Sequence, residues 1–571
     1  MGDRADPRCD NGEEHWDAVV IGSGLGGLSA AACLAGSGQR VLVLERHDIA
    51  GGNATVFRRH HEGAEYEFDV GVHYIGECQE GGVIPAILNG LGVGDRIRFR
   101  PFDQDQFDTL VLPDREVKVP AGWDAYIANV VEAVPGDRAG VERCMGTLRA
   151  VARESRERLL PGAETPVFDE WAYRPLSELF DECELSTTAK AIVDHWNGLY
   201  AGAPSQTAVV MHAVIADHYM NGAYYPEGGG QVLPARLVQA IEANSGEVRT
   251  LAPVAKVLIR ERRVRGVELD DGTVITTDLV VSNADHIRTV RNLVDREHWD
   301  PATLRFVDDA RMALGLVVVY VVVAGDLLGD RPNTNYHIFG GGDPEDVYKA
   351  LDAGNLPESD WAYLAFASKK DPDNPHLCPP DHTNFQIMTL APRGFEHWGK
   401  QAGPADGARY RRDGLYRERK QEITNRLLDS AESVLGPFRD RIVHLETATP
   451  LTHQRYTHAS GGTSYGYMHS PEQSGPKRPS HRTEIEGLWV CGANTSSGHG
   501  IAGALVGGVS CAGQILGRQG LLIEMIMGTQ LIDPKSIPPD PEDFDPMWVS
   551  RGARLRARRS ARRGSPADYV S

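Results

Sequence analysis

The chain has 571 residues, 41% hydrophobic and 24% charged, which suits roughly two to four domain-sized units and excludes a disordered, collagenous or small disulfide-stapled protein. Lys and Arg number 59 against 79 Asp and Glu, and the net charge of −20 repels polyanions and excludes general nucleic-acid binding. The 62 glycines and 34 prolines have no period, so they belong to turns and ligand-contacting loops rather than a fibre.

Residues 1–16 are polar and acidic, without the basic and apolar regions of a secretory signal, and Asp6 stands where a myristoylation motif needs Ser or Thr. Residues 17–52 predict one βαβ unit: an apolar strand at 17–21, an Ala- and Leu-rich helix at 25–34, and a β-branched strand at 40–44. Such a unit calls for a parallel sheet with helices packed on it. Residues 125–220 read as mainly helical. An Asp271-Gly272 turn centres an antiparallel meander that ends in an apolar strand at 279–281. Strands are expected at 312–323, 361–368 and 384–390, then a charged helix at 415–435. The last strand, 487–491, leads through a glycine loop into an apolar run, 501–527, that Gln514, Arg518 and Glu524 interrupt. It reads as a buried helix, not a membrane span. The tail is Pro- and Asp-rich, then basic, with seven arginines and no acid between Arg551 and Arg563.

The eight cysteines, Cys9, Cys33, Cys78, Cys144, Cys183, Cys378, Cys491 and Cys511, show neither C-x-x-C spacing nor a zinc pattern, as expected for reduced thiols in a cytosolic protein. No metal ligands are expected: His212 and His218 are six apart, which does not place both on one helix face.

The chemistry starts at Gly22-Ser23-Gly24-Leu25-Gly26-Gly27, between a predicted strand and a predicted helix. Gly22 permits the tight turn, Gly24 lets backbone approach a pyrophosphate, and Gly27 allows close helix-to-strand packing. The helix start faces the phosphate charge. Glu45 ends the next strand, where a carboxylate accepts from both ribose hydroxyls. A second glycine turn, Gly51-Gly52-Asn53, follows Glu45-Arg46 closely and favours FAD over NAD, because an extended flavin dinucleotide needs repeated close approaches of the chain. A second literal G-x-G-x-x-G, Gly498 to Gly503, is not followed by a strand ending in an acid. It reads instead as a helix N-terminus directed at the flavin, with Gly500 and Ile501 in its first turn.

The blocks VIGSGLGGLSAAACLA with Glu45, FDVGVHYIG from Phe68, YYPEGGGQVLPARL from Tyr224, VSNAD from Val281, TPLTHQRYT from Thr449 and GLWVCGANTSSGHGIAGALVGG from Gly487 resemble the phytoene desaturase, carotenoid isomerase and retinol saturase group of flavoproteins. The resemblance spans nearly the whole chain except its two tails, and the His73-Tyr74 pair is most similar to the saturase and isomerase branch. It implies an FAD enzyme that forms, saturates or isomerises C=C bonds of a long apolar polyene or isoprenoid lipid. The expected fold is α/β: a Rossmann-like FAD-binding domain, discontinuous and carrying the meander, plus a mixed α+β substrate domain. The boundaries expected are 15–120, 223–300 and 445–520 for the FAD-binding domain, 121–222 and 301–444 for the substrate domain, and 521–571 as an exposed basic tail.

The cofactor set expected is Gly22, Ser23, Gly24, Leu25, Gly26, Gly27, Glu45, Arg46, Gly51, Gly52, Asn53, Val254, Gly492, Gly500 and Ile501. His73 and Tyr74 lie in the loop that the resemblance puts near the flavin, so they are candidates to orient substrate or relay a proton, with packing as the alternative. His499 is a candidate flavin hydrogen-bond partner or proton donor. Glu227 is weighed as an acid against a surface or turn-capping carboxylate, and Arg455-Tyr456 against an ion pair supporting the sheet. The arginine tail is expected to dock on anionic lipid or to be solvated, and a chain cut after Asp545 is expected to bind liposomes more weakly while keeping its flavin. The partners expected are an apolar polyene and an electron carrier, quinone or oxygen, at a cytoplasmic or peripheral membrane location. Two other readings are a flavin-free lipid escort like the prenylated-GTPase dissociation inhibitors, and an amine oxidase.

Overall fold

In the computed structural model, residues 14–158, 162–358 and 361–563 are described, with side chains to residue 560 in the last stretch. Residues 1–13, which include Cys9 and most of the segment weighed for targeting signals, lie outside the described residues, as do the side chains of Arg562 and Arg563.

The chain enters through β1 (Ala18–Ile21), α1 (Leu25–Gly36) and β2 (Val41–Leu44), then forms two hairpins, β3 (Val56–His61) with β4 (Ala64–Asp69) and β5 (Asp108–Leu112) with β6 (Arg115–Val119). A mainly helical stretch includes α2 (Arg138–Glu157) and α3 (Val209–Met220). Next come α4 (Val232–Ala243), β7 (Glu247–Arg249), the meander β8 (Val254–Arg260), β9 (Arg263–Leu269) and β10 (Val274–Thr276), and β11 (Val280–Ser282). β12 (Leu316–Ala324), β13 (Asn335–Phe339), β14 (Trp361–Ala365), α5 (Ala367–Lys370), β15 (His382–Leu390), α6 (Gly414–Leu435), β16 (Ile442–Ala448) and α7 (Pro450–Thr457) follow. The chain closes with β17 (Leu488–Val490), α8 (Gly500–Ile515), α9 (Leu521–Ile526) and α10 (Ala553–Arg563).

Five short strands pair in parallel in the order β7-β2-β1-β11-β17. Every residue of β1 and β2 is buried because both faces of this sheet are covered. Ala18, Val20, Val41 and Val43 face the cluster that contains α1, and Val19, Ile21, Leu42 and Leu44 pack with Val257, Val264, Val267 and Ile275 of the meander. The last strand thus returns to the first sheet, as the sequence predicts. Gly508 lets α8 lie directly on α1, since a side chain there would strike Ser29 and the Gly26 carbonyl.

The second sheet has seven strands in the order β16-β12-β15-β14-β13-β5-β6. Its back face is apolar: Val317, Val319, Val321, Leu364, Phe385 and Ile387 pack in one cluster with Ile423, Leu427 and Leu428 of α6. Its front face, fixed by the pairings Tyr320 with Gln386, Tyr363 with His337 and Asn335 with Asp108, is polar and aromatic yet buried.

Three expectations need correction. β5 and β6 belong to the seven-stranded sheet, so a boundary at 120 is too late, and β16 crosses the boundary at 444/445. The apolar run 501–527 is two helices separated at Gly517, whose φ of 69° ends α8, and Ile523, Ile526 and Met527 face outward. The tract after residue 520 is not simply an exposed tail. Ile532, Ile537, Met547 and Ser550 are buried. Arg551 pairs with Asp48, Arg554 with Glu14 and Glu247, and Arg556 with Glu242. Counting arginines could not show this, because the acids that neutralise them come from distant parts of the chain. Among the described residues no helix is long and apolar enough to cross a membrane, and the cysteines are free.

Candidate active site

Gly22, with φ of 90°, turns the chain out of β1 and into α1. Gly24 is the N-cap of α1 and no side chain caps that helix, which leaves backbone donors at its positive end for an anion. Asn283, just after β11, wedges among the glycines. A Cβ on Gly24 would lie 2.7 Å from Asn283 Nδ2, and one on Gly26 would lie 2.9 Å from both Asn283 Oδ1 and the Gly492 Cα. A Cβ on Gly27 would run into the Gly22 carbonyl. Gly27 therefore serves helix-to-strand packing, Gly26 the crossing of α1 with the loop after β17, and Gly24 the close approach of Asn283.

The second glycine turn meets the first. Gly24 bridges Gly51, and a Cβ on Gly52 would come within 3.0 Å of the Gly24 Cα. The turn is anchored from beneath by Gln231, whose amide donates to the Ala50 carbonyl at 2.8 Å and the Ser550 hydroxyl at 2.9 Å and accepts from Val56 N–H at 3.1 Å. Ala50 N–H donates to the Ser550 carbonyl at 2.8 Å. Glu45 ends β2 beside both turns. Its carboxylate accepts from Ser23 N–H at 2.9 Å, Ser23 Oγ at 2.6 Å and His47 N–H at 2.8 Å. Arg46 reaches the carbonyls of Arg455 and Tyr456 in α7, which gives Arg455-Tyr456 a docking role at the sheet instead of an ion pair. Val254 opens β8 two residues after Ala252, whose N–H donates to the Glu45 carbonyl at 2.8 Å. Asn53 is exposed at the rim, its carbonyl 2.9 Å from where a Cβ on Gly71 would sit. α8 also lacks a side-chain cap, and Gly500 has open space where its Cβ would be. Two uncapped helix starts, touching glycine turns and a carboxylate at the strand end fit a dinucleotide.

His73 and Tyr74 follow β4 and adjoin the front face of the seven-stranded sheet. Tyr74 donates to Asp108 Oδ2 at 3.2 Å and stacks on Tyr219 with ring centroids 4.4 Å apart. Burial raises its phenol well above the ordinary range, with the Asp108 charge adding to the effect. Lys370, at the end of α5, donates to the His73 carbonyl at 2.5 Å. Burial pulls its ammonium down to about 7 against the attraction of Asp69 and Asp108. Asp69 is pushed up to about 7 by burial, although the Tyr225 hydroxyl and Gly230 N–H favour its charge. His73 is held neutral, down to about 3, by burial and the Lys370 cation.

His499 is not free to act as an acid. Its Nε2 donates to the Leu199 carbonyl at 2.7 Å, so its Nδ1 accepts from His469 Nε2 at 2.9 Å, and His469 Nδ1 in turn receives Arg478 Nη1 at 3.3 Å. Burial lowers His499 to about 4 and keeps this chain of neutral rings intact. His499 thus straps the start of α8 to the helical stretch. Glu227 pairs with Arg100 at 2.9 Å. His218 accepts from Gly76 N–H at 2.9 Å, and His212 hydrogen-bonds the Tyr200 hydroxyl at 2.9 Å, so the two serve separate places. Asn283, Lys370, Asp108 and Asp69 were missed. Asn283 and Asp69 stand inside blocks quoted above, but only the packed structure shows what they touch.

The description "flavin containing amine oxidoreductase" fits residues 25–322, just over half of the chain. All-trans-retinol 13,14-reductase of Danio rerio is 28% identical over 539 residues, covering 88% of this chain and 86% of the relative. Chloroplastic prolycopene isomerase of Arabidopsis thaliana is 26% identical over 538 residues, covering 90% and 84%. Among solved structures, a putrescine oxidase bound to putrescine superposes with a TM-score of 0.59 at 14% identity, covering 88% of this chain and 99% of that one, which is a likeness of fold. The two glycine turns, Glu45 and the open start of α8 are the features such a cofactor domain requires, and the chain belongs to the flavin containing amine oxidoreductase family.

Proposed function

We propose that this protein is an FAD-dependent oxidoreductase that forms, saturates or isomerises C=C bonds of a long apolar polyene or isoprenoid lipid. The observation that carries the reading is the union of a dinucleotide cradle with a buried aromatic face, Tyr74, Tyr219, Tyr320 and Tyr363, in a chain whose similarity to polyene-acting relatives runs nearly end to end. Gly24 and Leu25 at the start of α1 would offer backbone donors to the pyrophosphate, Glu45 would accept from ribose hydroxyls, and Gly500 and Ile501 would face the ring. When bound, the flavin supplies hydride exchange at N5.

The protein's own share is to bind, orient and exclude water. Buried aromatic surface holds an apolar chain at roughly 25 cal/mol per Å² removed from water. Lys370 and Asp69, each brought close to neutrality in pH, are the groups placed to hold or supply a proton near His73. The likeness to the putrescine oxidase structure, at 14% identity, is one of fold, and the intact cradle gives a flavin-free escort no support.

The test is reconstitution with FAD, followed by anaerobic incubation of the reduced and oxidised enzyme with all-trans-retinol and with a cis-carotene. Change of the polyene chromophore together with flavin absorbance supports the reading. A chain that binds no flavin, or a flavin enzyme that alters neither polyene and, in a separate incubation under air, oxidises amines with release of hydrogen peroxide, refutes it.

A further inference from the structure

Among the described residues three arginines are deeply buried, Arg236, Arg249 and Arg478, none more than 8% exposed. Two of them meet acids: Arg236 pairs with Asp540 at 2.6 Å and Arg249 with Glu14 at 2.6 Å. Arg478 meets none. Its nitrogens go to neutral acceptors: Nε donates to the Thr495 carbonyl at 2.9 Å, Nη2 to the Ala493 carbonyl at 2.6 Å, and Nη1 to the Tyr467 carbonyl at 3.2 Å and to His469 Nδ1 at 3.3 Å. Burial pulls the guanidinium down to about 10, with Tyr467 acting the other way, so it stays a cation at neutral pH. A buried cation without an opposing charge destabilises a fold by itself, and such groups gather at functional sites.

The carbonyls that Arg478 holds belong to the loop between β17 and α8. A trans peptide points its C=O and its N–H in opposite directions, so turning the carbonyls of Ala493 and Thr495 toward Arg478 turns the N–H groups of Asn494 and Ser496 away from it. Among the described residues neither N–H has a hydrogen-bond partner. Gly492, at one end of the loop, packs on Gly26 of α1, and His499, at the other, begins α8 without a side-chain cap. The guanidinium thus stands behind free backbone donors that lead from the glycine cradle to the start of α8.

We infer that Arg478 is a positioning residue for the flavin's redox balance: its charge, relayed through the peptides at 493–496 and the start of α8, favours the reduced, anionic ring over the oxidised one. The inference rests on the flavin reading above and is independent of which polyene reacts. A hydride delivered to the neutral oxidised ring brings two electrons and one proton, which leaves one negative charge on the ring. A fixed cation in a dry interior favours that charge. The peptide dipoles lie with carbonyls toward the guanidinium and N–H groups outward, so they relay its field instead of opposing it.

The test is the redox potential of the FAD-loaded protein, read against a reference dye, in the parent and in Arg478→Gln and Arg478→Lys. Each variant is checked as folded by retained flavin and thermal melting. Relative to oxidised FAD, Arg478→Gln should hold reduced FAD at least about tenfold more weakly than the parent does, a fall in potential of about 30 mV for two electrons. Arg478→Lys keeps the charge but loses the planar fork that spans both carbonyls, so it should melt lower yet keep a potential near the parent's. Equal falls in both variants, which loop geometry alone would give, or an unchanged potential in Arg478→Gln overturn the inference and leave the flavin reading standing. If neither variant keeps its flavin, the parent decides: it should bind reduced FAD more tightly than oxidised FAD, and an equal or reversed order overturns the inference. A parent chain that binds no FAD overturns both.

Discussion

The carboxyl-terminal tract supports the second glycine turn, so its removal should loosen the flavin as well as the fold. A chain ending at residue 545 loses the Ser550 carbonyl that accepts from Ala50 N–H at 2.8 Å, the Ser550 hydroxyl that accepts from Gln231 at 2.9 Å, and the Arg551 carbonyl that accepts from Thr250 Oγ1 at 2.6 Å. At a net of about 1 kcal/mol each, these bonds amount to about 3 kcal/mol before the buried Met547 is counted. If that loss falls wholly on the turn, flavin affinity drops about a hundredfold. Ser550→Ala is the gentler version. It removes only the hydroxyl of a fully buried residue and should cost about 1 kcal/mol. The assay is titration of apoprotein with FAD by flavin fluorescence, alongside thermal melting. A truncated chain that binds FAD as tightly as the full chain, with an unchanged melting temperature, would refute the reasoning and return the tract to the role of a solvated tail.

Gly27→Ala should destabilise by at least about 1–3 kcal/mol, because its Cβ meets the Gly22 carbonyl and backbone cannot yield. Gly24→Ala should fold but hold less flavin, since the group it meets is the Asn283 amide, and adding Asn283→Ala should not restore the flavin; full occupancy in Gly24→Ala would disprove this. Glu45→Gln should weaken FAD binding about tenfold to a hundredfold, because the carboxylate that already accepts from Ser23 and His47 becomes a neutral amide; unchanged affinity on titration counts against the ribose role. Acid should destabilise the fold. His212 and His286 are buried and lowered to about 4, so the folded state binds fewer protons than the unfolded one, and stability present above pH 6.5 is lost as pH falls toward 4, about 3 kcal/mol per ring. His453 and His499, also lowered to about 4, act in the same direction. Asp69, raised to about 7, acts oppositely between pH 7 and 4 and is outnumbered. Equal melting temperatures at pH 7 and pH 4.5 would contradict this.

Residues 17–52 disclose their structure locally. The alternation of apolar runs with Gly22, Gly24 and Gly27 is a signal of short range, and Glu45 follows at a spacing that the strand length enforces. The polar front face was illegible for the opposite reason. Asp108 begins a strand whose neighbour is residue 335, and the sequence holds no sign that a strand 227 residues away will take its charge inside the protein. His499 shows the same limit at a single residue. Its loop suggests a group facing a cofactor, whereas the fold brings Leu199 and His469 to its two nitrogens.

By itself, then, the amino-acid order determined the βαβ unit, the dinucleotide fingerprint, the meander and the return of the last strand, because backbone propensity and glycine geometry act over a few residues. Tertiary packing alone decided which acids neutralise the terminal arginines, where residues 108–119 pair and which buried arginine meets no acid, because burial and hydrogen-bond partnership belong to the assembled molecule.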